Sequence, residues 1–468
     1  MTAAARAHVV VAGGGLAGIA AAIAVAEAGN RVTLLEARPR LGGATTSFSR
    51  GGLSIDNGQH VFLRCCTAYR GLLARLGMTG SVTLQDRFDV TVLRPGGRAT
   101  LRRTILPGPL HMGWALAGYG HLSISERLRV VPAALAMTRL DPAHPDLDGK
   151  RLGDWLAAHG QSERARRVLW DLFTVSSLNV PGDDANLALA ATVVRTALLS
   201  SRDAADIGVP GVPLGELHGQ AAADLLGRLG ARVRLGAKAG AVEALPSGGF
   251  LVRLAGRGEA AGNGAGEVIR ADGVVLAVPP DAAARLMPAG ESRTRAGRWA
   301  ELGSSPIVNV HVIYDRRVTR LPFAAAVDSP VQWVFDQTGP SGLRTGQYLA
   351  VSLSAADRYV DVPAARLRDG FLRALEELFP AAAQAQVADC FVTRERRATF
   401  RQEPGCGRLR PGAATSVPGL ALAGAWTDTG WPDTMEGAVR SGLNAARELR
   451  RSMPGLRARD VVTTGAPA

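Results

Sequence analysis

The residues with the clearest chemistry near the start of the chain are glycines. Gly13-x-Gly15-x-x-Gly18 follows an apolar run at 8–12 and opens a small-residue helix that stops at Gly29 and Asn30. In such a turn Gly13 permits a tight exit from a strand, Gly15 lets backbone approach a pyrophosphate, and Gly18 lets the helix lie close to the sheet. Gly14, Leu16 and Ala17 complete the turn and the first helical positions, where free N–H groups and the positive end of the helix dipole suit phosphate. A second apolar run at 32–35 ends in Glu36, placed to accept hydrogen bonds from a ribose, with Ala37 and Arg38 next. Gly42 and Gly43 then turn the chain back across the phosphates. Strand, turn, helix, strand and acid in this register predict a dinucleotide site, with NAD, NADP and FAD all open on these residues alone.

The elements that must position this turn read as α/β. After a strand-like piece at 45–48 and a turn at Gly51 and Gly52 comes a dense polar cluster, Asp56-Asn57-Gly58-Gln59-His60, between apolar flanks. A helix is expected at 67–76 and a hairpin at 88–93 and 99–101. A mostly helical block follows at 105–140, 155–170 and 183–199. A helix at 213–230 and strands at 233–235, 249–254 and 267–270 come next, with 256–266 as a linker. Asp272 to Pro280 reads as a buried strand with a proline stop. Strands at 308–314, 332–335 and 347–353 predict an antiparallel sheet, followed by a helix at 364–378 and a strand at 389–394. A last parallel strand, 420–424, leads into a helix starting near Asp433 whose Gly437, Ala438 and Gly442 permit close approach.

Composition narrows the class. The chain has 468 residues, 47% hydrophobic and 20% charged, which suits more than one globular core. No apolar stretch is long enough to span a bilayer, and the first strand begins too early for a signal peptide. Cys65, Cys66, Cys390 and Cys406 have no metal or redox spacing and are expected as free thiols in a reducing cytoplasm. The net charge of +13 has no basic tract with interleaved aromatics, so no nucleic-acid partner is expected. A basic face against anionic lipid headgroups, and hence peripheral membrane contact, is. No cluster has metal-ligand spacing, and no metal is expected.

Three dispersed pieces agree: the N-terminal unit with Gly42 and Gly43, the Asp272 to Pro280 strand, and Leu422-Ala423-Gly424 with Met435-Glu436-Gly437-Ala438-Val439-Arg440-Ser441-Gly442. Together the chain resembles the flavin amine oxidase and carotenoid desaturase superfamily. Asp56-Asn57-Gly58-Gln59-His60-Val61, Leu178-Asn179-Val180-Pro181 and Trp426-Thr427-Asp428-Thr429-Gly430-Trp431-Pro432 point within it to the squalene-associated FAD-dependent desaturases, or hydroxysqualene dehydroxylases. The resemblance implies an FAD-binding Rossmann-like domain (1–85, 205–285 and 405–452) interleaved with an α+β substrate domain (86–204 and 286–404). Residues 453–468 form an expected disordered tail. It also implies FAD as cofactor, a C30 isoprenoid alcohol as substrate, and hydride from reduced flavin. Ala44 and Ala425 depart from the superfamily, which often has an arginine and an acid there, near the phosphates. The two losses compensate each other in charge or else weaken FAD binding.

Loss of hydroxide from an allylic carbon needs an acid near the flavin. His60 and Asp433 are the candidates; the alternatives are a turn-bound structural histidine and a helix-terminal aspartate. Asp56 either orients His60 or caps its turn. Trp426 and Trp431 either offer aromatic faces to developing positive charge or simply pack. The resemblance places the backbone N–H groups of Met435, Glu436 and Gly437 at the flavin edge where negative charge accumulates. The apolar regions 105–140 and 187–199 line a substrate channel or form ordinary core. With no second dinucleotide fingerprint, a reductive enzyme needs an external electron donor. An oxidative carotenoid-type desaturase, an amine oxidase and a non-catalytic isoprenoid-lipid escort are the rival readings.

Overall fold

The apolar run His8–Ala12 is buried at all five positions because it is the middle strand of a sheet. The computed structural model describes residues 6–107, 110–256, 267–289, 296–453 and 456. In it a five-stranded sheet runs in the order Arg232–Leu235, Arg31–Glu36, His8–Ala12, Gly273–Leu276, Leu420–Leu422. All its pairings are parallel.

Alternation along the strands divides the two faces. Val9, Val11, Leu34, Val275 and Ala421 pack with the helices Leu16–Glu27 and Met435–Ser452. Val10, Ala12, Val274 and Leu276 belong to the core that includes Val242, Phe250 and Val252 of a three-stranded antiparallel sheet. A parallel sheet covered on both faces needs continuous apolar strands, which is what the sequence shows. The two long helices touch backbone to backbone: a Cβ at Gly442 would lie 2.1 Å from the Ala17 carbonyl oxygen.

A second, seven-stranded sheet runs in the order Val387–Thr399, Ser305–Tyr314, Gln347–Leu353, Trp333–Asp336, Phe323–Ala326, Asp89–Arg94, Gly97–Arg102. Phe323–Ala326 pairs with Asp89–Arg94 in parallel, which stitches the early hairpin to the late strands. Val308, Val310 and Val312 face the amphipathic helix Ala364–Leu378. The alternate residues Asn309, His311 and Ile313 face the other way, toward Ile55 and the polar segment after it. The chain is thus α/β, and these two sheets are the basis on which the division into cofactor and substrate parts is proposed.

Several expected elements change shape. The 105–140 block is two helices, Gly113–Ala117 and Ile124–Thr138, the second begun by a Ser123–Glu126 capping box. The expected 155–170 helix is broken: Leu152–Ala158 ends at Gly160, and Ser162 caps a new start at Glu163–Ala165 that continues to Leu178. The last helix begins at Met435, with Thr434 as its cap. The expected 45–48 strand is Ser47–Arg50, paired with Leu53–Asp56. Most of the 256–266 linker and of the 453–468 tail lies outside the described residues. Among the described residues no helix is long and apolar enough to cross a membrane.

Candidate active site

The glycine turn is held by its neighbours at backbone distance. Gly13 adopts φ +109°, and a Cβ there would lie 2.2 Å from the Ala277 carbonyl oxygen. At Gly18 the corresponding distance, to the Gly13 carbonyl oxygen, is 1.8 Å. Gly42 donates its N–H to the Gly14 carbonyl at 2.9 Å, and a Cβ on Gly43 would lie 2.7 Å from the Gly15 Cα. Two glycine segments therefore meet with no side chain between them. Gly15, the N-cap of Leu16–Glu27, gives that helix no side-chain cap, and its first turn carries no acid. Its leading N–H groups are left to an anionic ligand, so these residues fit a cofactor pyrophosphate.

Glu36 is buried at the rim of this turn. Its Oε2 accepts the Gly14 N–H at 2.7 Å and its Oε1 accepts the Arg38 N–H at 2.8 Å. Each oxygen keeps a second lone pair, so a ribose hydroxyl can still be accepted. Arg38 is exposed, with Nη1 3.3 Å from the Gly43 carbonyl oxygen, and brings a cation close to Ala44. Ala37 is exposed and makes no side-chain hydrogen bond.

The end of the Met435–Ser452 helix differs from the expectation. Thr434 Oγ1 accepts the Gly437 N–H at 3.2 Å, so that donor is engaged inside the protein. Of the three expected first-turn donors, the cap therefore engages that of Gly437 and leaves those of Met435 and Glu436 uncapped. The Glu436 side chain points elsewhere. Its buried carboxylate accepts the N–H groups of Ala68 and Tyr69 and pairs with Arg440 at 2.7 Å, capping the helix Thr67–Leu76 from a distance in sequence.

His60 and Asp433 sit in separate hydrogen-bond networks. His60 is half-buried, with Nδ1 3.0 Å from the Gly58 carbonyl oxygen. Burial holds its imidazole below the usual histidine range, against a partial opposing pull from Glu395. Asp433 accepts the Phe400 N–H at 2.9 Å and gives its own N–H to Gln402 Oε1. Burial pushes its carboxyl up to about 6. Asp56 does not orient His60. Its carboxylate accepts Ser47 Oγ at 2.6 Å and the Leu214 N–H at 3.0 Å, which ties the turn to the segment before Gly215–Gln220.

The sequence did not single out the wall facing His60. A Cβ on Gly58 would lie 3.4 Å from Asn309 Nδ2 and 3.6 Å from His60 Cε1, so the two side chains flank the same glycine. Asn309 donates to the Asn57 carbonyl at 3.1 Å, and Thr393 donates to that carbonyl too. Thr393 also bonds His311, which bonds the Tyr348 hydroxyl. Asn57 in turn donates to Glu395 and to the Ala44 carbonyl, and Gln337 donates to Gln59 Oε1 at 2.7 Å. Two atoms in this wall, Gln59 Nε2 and Asn309 Oδ1, are buried without a partner. The available signal was the polar–apolar alternation of Val308-Asn309-Val310-His311-Val312, which places polar groups on one strand face.

Arg410 was missed as well. Buried at 7% exposure, it donates to the carbonyls of Ala425, Trp426, Thr427 and Trp431, with its guanidinium over Phe400. One side chain thus shapes the loop between the last strand and the last helix. Trp426 is buried against Trp299 and donates to the Val278 carbonyl, while Trp431 already carries the Arg440 guanidinium 4.8 Å from its ring centre. Trp426 is a packing residue, and the half-buried Trp431 has one ring face taken by Arg440. Asn179 takes φ +53° to end its helix and cross-links Ser305, Thr399 and Ala355, a structural junction. Leu187–Val194 is core.

Comparison with known proteins agrees with this architecture. The model of the flavin containing amine oxidoreductase family matches residues 16–450. The chain belongs to this family. It is an FAD-dependent oxidoreductase. The flavoprotein is 31% identical to a hydroxysqualene dehydroxylase of Rhodopseudomonas palustris over 94% of this chain and 97% of that one. It is 24% identical to a zeta-carotene desaturase of Zea mays over 93% and 82%. Among solved structures, cyclohexylamine oxidase from Brevibacterium oxydans superposes with a TM-score of 0.71 at 21% identity, covering 96% of this chain and all of that one, which shows the shared fold.

Proposed function

We propose that this flavoprotein removes the hydroxyl of hydroxysqualene reductively to give squalene, with electrons from an external donor. The observation that carries the reading is the similarity to hydroxysqualene dehydroxylases along nearly the full length of both chains. The wall beside Gly58 supports it. Gln59 Nε2 is a buried donor and Asn309 Oδ1 a buried acceptor, both unpartnered, and an alcohol can satisfy one of each.

When bound, reduced FAD supplies hydride to the carbon that loses oxygen. The glycine turn, with Gly13, Gly14, Gly15, Leu16, Ala17, Gly18, Gly42 and Gly43, would hold the phosphates. Glu36, beside Ala37 and Arg38, would accept a ribose hydroxyl. The Met435 and Glu436 N–H groups would be the donors available to the flavin. The C–O bond breaks and the oxygen leaves as water, so one proton must reach it. Asp433 keeps a proton up to about pH 6 and is the proposed donor. His60, held neutral by burial, is the proposed hydrogen-bonding group beside Asn309.

The test is a single-turnover assay. Photoreduced holoprotein is mixed anaerobically with hydroxysqualene and the extract examined by mass spectrometry. Squalene formed with reoxidation of the flavin supports the reading. No squalene, together with dehydrogenation of a polyene or an amine under air, overturns it in favour of a desaturase or an amine oxidase.

A further inference from the structure

Soluble surfaces scatter their exposed apolar side chains singly; this one gathers them. Of the large apolar side chains standing exposed among the described residues, all but Phe48, Leu235 and Val268 lie at 105–135. Trp114 on the short helix Gly113–Ala117 is 72% exposed, and Ile124 and Leu128 on Ile124–Thr138 are 71% and 68% exposed.

The Ile124–Thr138 helix has two apolar faces. Val130, Ala133 and Met137 are buried in the core. Ile124, Leu128, Val131 and Leu135 recur at helical spacing on the outside, where nothing among the described residues covers them. A helix that needed only to cap the core would carry polar residues there.

Positive charge predominates along this stretch. Residues 97–139 hold six arginines and a single acid, Glu126, and two of those arginines, Arg102 and Arg103, are paired with Asp89 and Asp206. Glu126 is bound to Ser123 and Ser162 at the helix start, which takes it out of the exposed face. Arg98, Arg129 and Arg139 are exposed and in no ion pair among the described residues; Arg202 is exposed too and anchors to the Ile105 carbonyl. Apolar side chains bordered by unpaired arginines, with a tryptophan at the tip, match the headgroup–acyl boundary of an anionic bilayer. A second copy of this chain would face the same cations and be repelled.

We propose that residues 105–107 and 110–135 form a monotopic docking surface for an anionic lipid bilayer, entered by Trp114 and the Ile124, Leu128, Val131, Leu135 stripe, with Arg129 and Arg139 meeting headgroups. The proposal stands apart from the dehydroxylase reading, because lipid binding is measured without turnover.

The test is co-sedimentation of the purified full-length protein with phosphatidylcholine vesicles containing about 30% phosphatidylglycerol. The triple variant Ile124→Gln, Leu128→Gln, Leu135→Gln is expected to lower the partition coefficient at least about tenfold. Raising salt from about 0.1 M to about 0.5 M is expected to lower wild-type binding severalfold, and Arg129→Gln with Arg139→Gln to remove most of that sensitivity. Circular dichroism and bound flavin report folding of each variant; Trp114→Ala with brominated lipid gives a second readout, since quenching should fall with that single exposed change. Absence of wild-type binding overturns the proposal, as does equal binding by the triple variant. So does a wild-type dimer that the triple variant converts to monomer with no vesicle binding in either, which would make a second copy the occupant.

Discussion

The glycine turn at 13–18 and the polar wall around Gly58 are built by opposite means. The turn is backbone against backbone, with no room for a Cβ at Gly13 or Gly18 and no side-chain cap on the helix it starts. The wall is side chain against side chain, assembled from 57–60 and from strands about 250 to 340 positions away. The first tolerates almost no change in shape. The second tolerates changes of shape but not of hydrogen-bonding capacity. Cofactor retention and substrate turnover should therefore separate by region.

The largest effect is expected at the turn. Gly13→Ala forces both φ +109° and a 2.2 Å approach to the Ala277 oxygen, a cost of about 3 kcal/mol or more. The purified protein should lose bound flavin, read from its visible absorbance; a fully loaded variant would break the contrast.

Next comes Arg410→Met, which leaves four carbonyls without their donor. About 2–3 kcal/mol of stability should be lost, measured by urea unfolding, with Arg410→Lys intermediate because one ammonium cannot reach all four.

Smaller losses are expected in the wall. Asn309→Leu and Gln59→Leu each remove one buried unpartnered atom together with one made hydrogen bond, to the Asn57 carbonyl and from Gln337 respectively. Flavin content should stay near wild type while kcat/KM for the alcohol falls roughly tenfold, about 1.4 kcal/mol. Loss of flavin in these variants would show that the wall serves the cofactor instead.

The finest test is pH. Burial raises the Asp433 carboxyl to about 6, above the ~3.9 of an unfolded aspartate. Its contribution to stability is therefore fully present below about pH 4 and is lost as pH rises through about 6. As proton donor it should give a rate that falls over the same upper limb, and Asp433→Asn should flatten both profiles. A limb that survives in Asp433→Asn but vanishes in His60→Gln would transfer the role to His60.

How much of this was legible from residues differs element by element. Gly13, Gly15, Gly18 and Glu36 lie within 24 positions, and the chemistry of a strand-to-helix turn is local, so spacing alone exposed it. The last helix was also legible, but its cap was not: Thr434 takes the Gly437 N–H, and only the hydrogen-bond geometry decides which first-turn donors stay open. The role of the Glu436 side chain was not legible for a related reason. Its partners, Ala68 and Tyr69, are some 370 positions away, and nothing in the local sequence announces that a carboxylate will cap a distant helix.

What the sequence determined by itself was the α/β class, the glycine turn between strand and helix and, through the motifs that resemble flavin enzymes, the cofactor. Each rests on local backbone propensity or on a run of neighbouring residues. Tertiary structure alone decided that Asn309 and His60 flank one glycine, that Arg410 gathers four carbonyls, and that the outer face of Ile124–Thr138 stays bare. Burial and unmet hydrogen bonds are properties of assembled surfaces, and no residue carries them until its distant neighbours are in place.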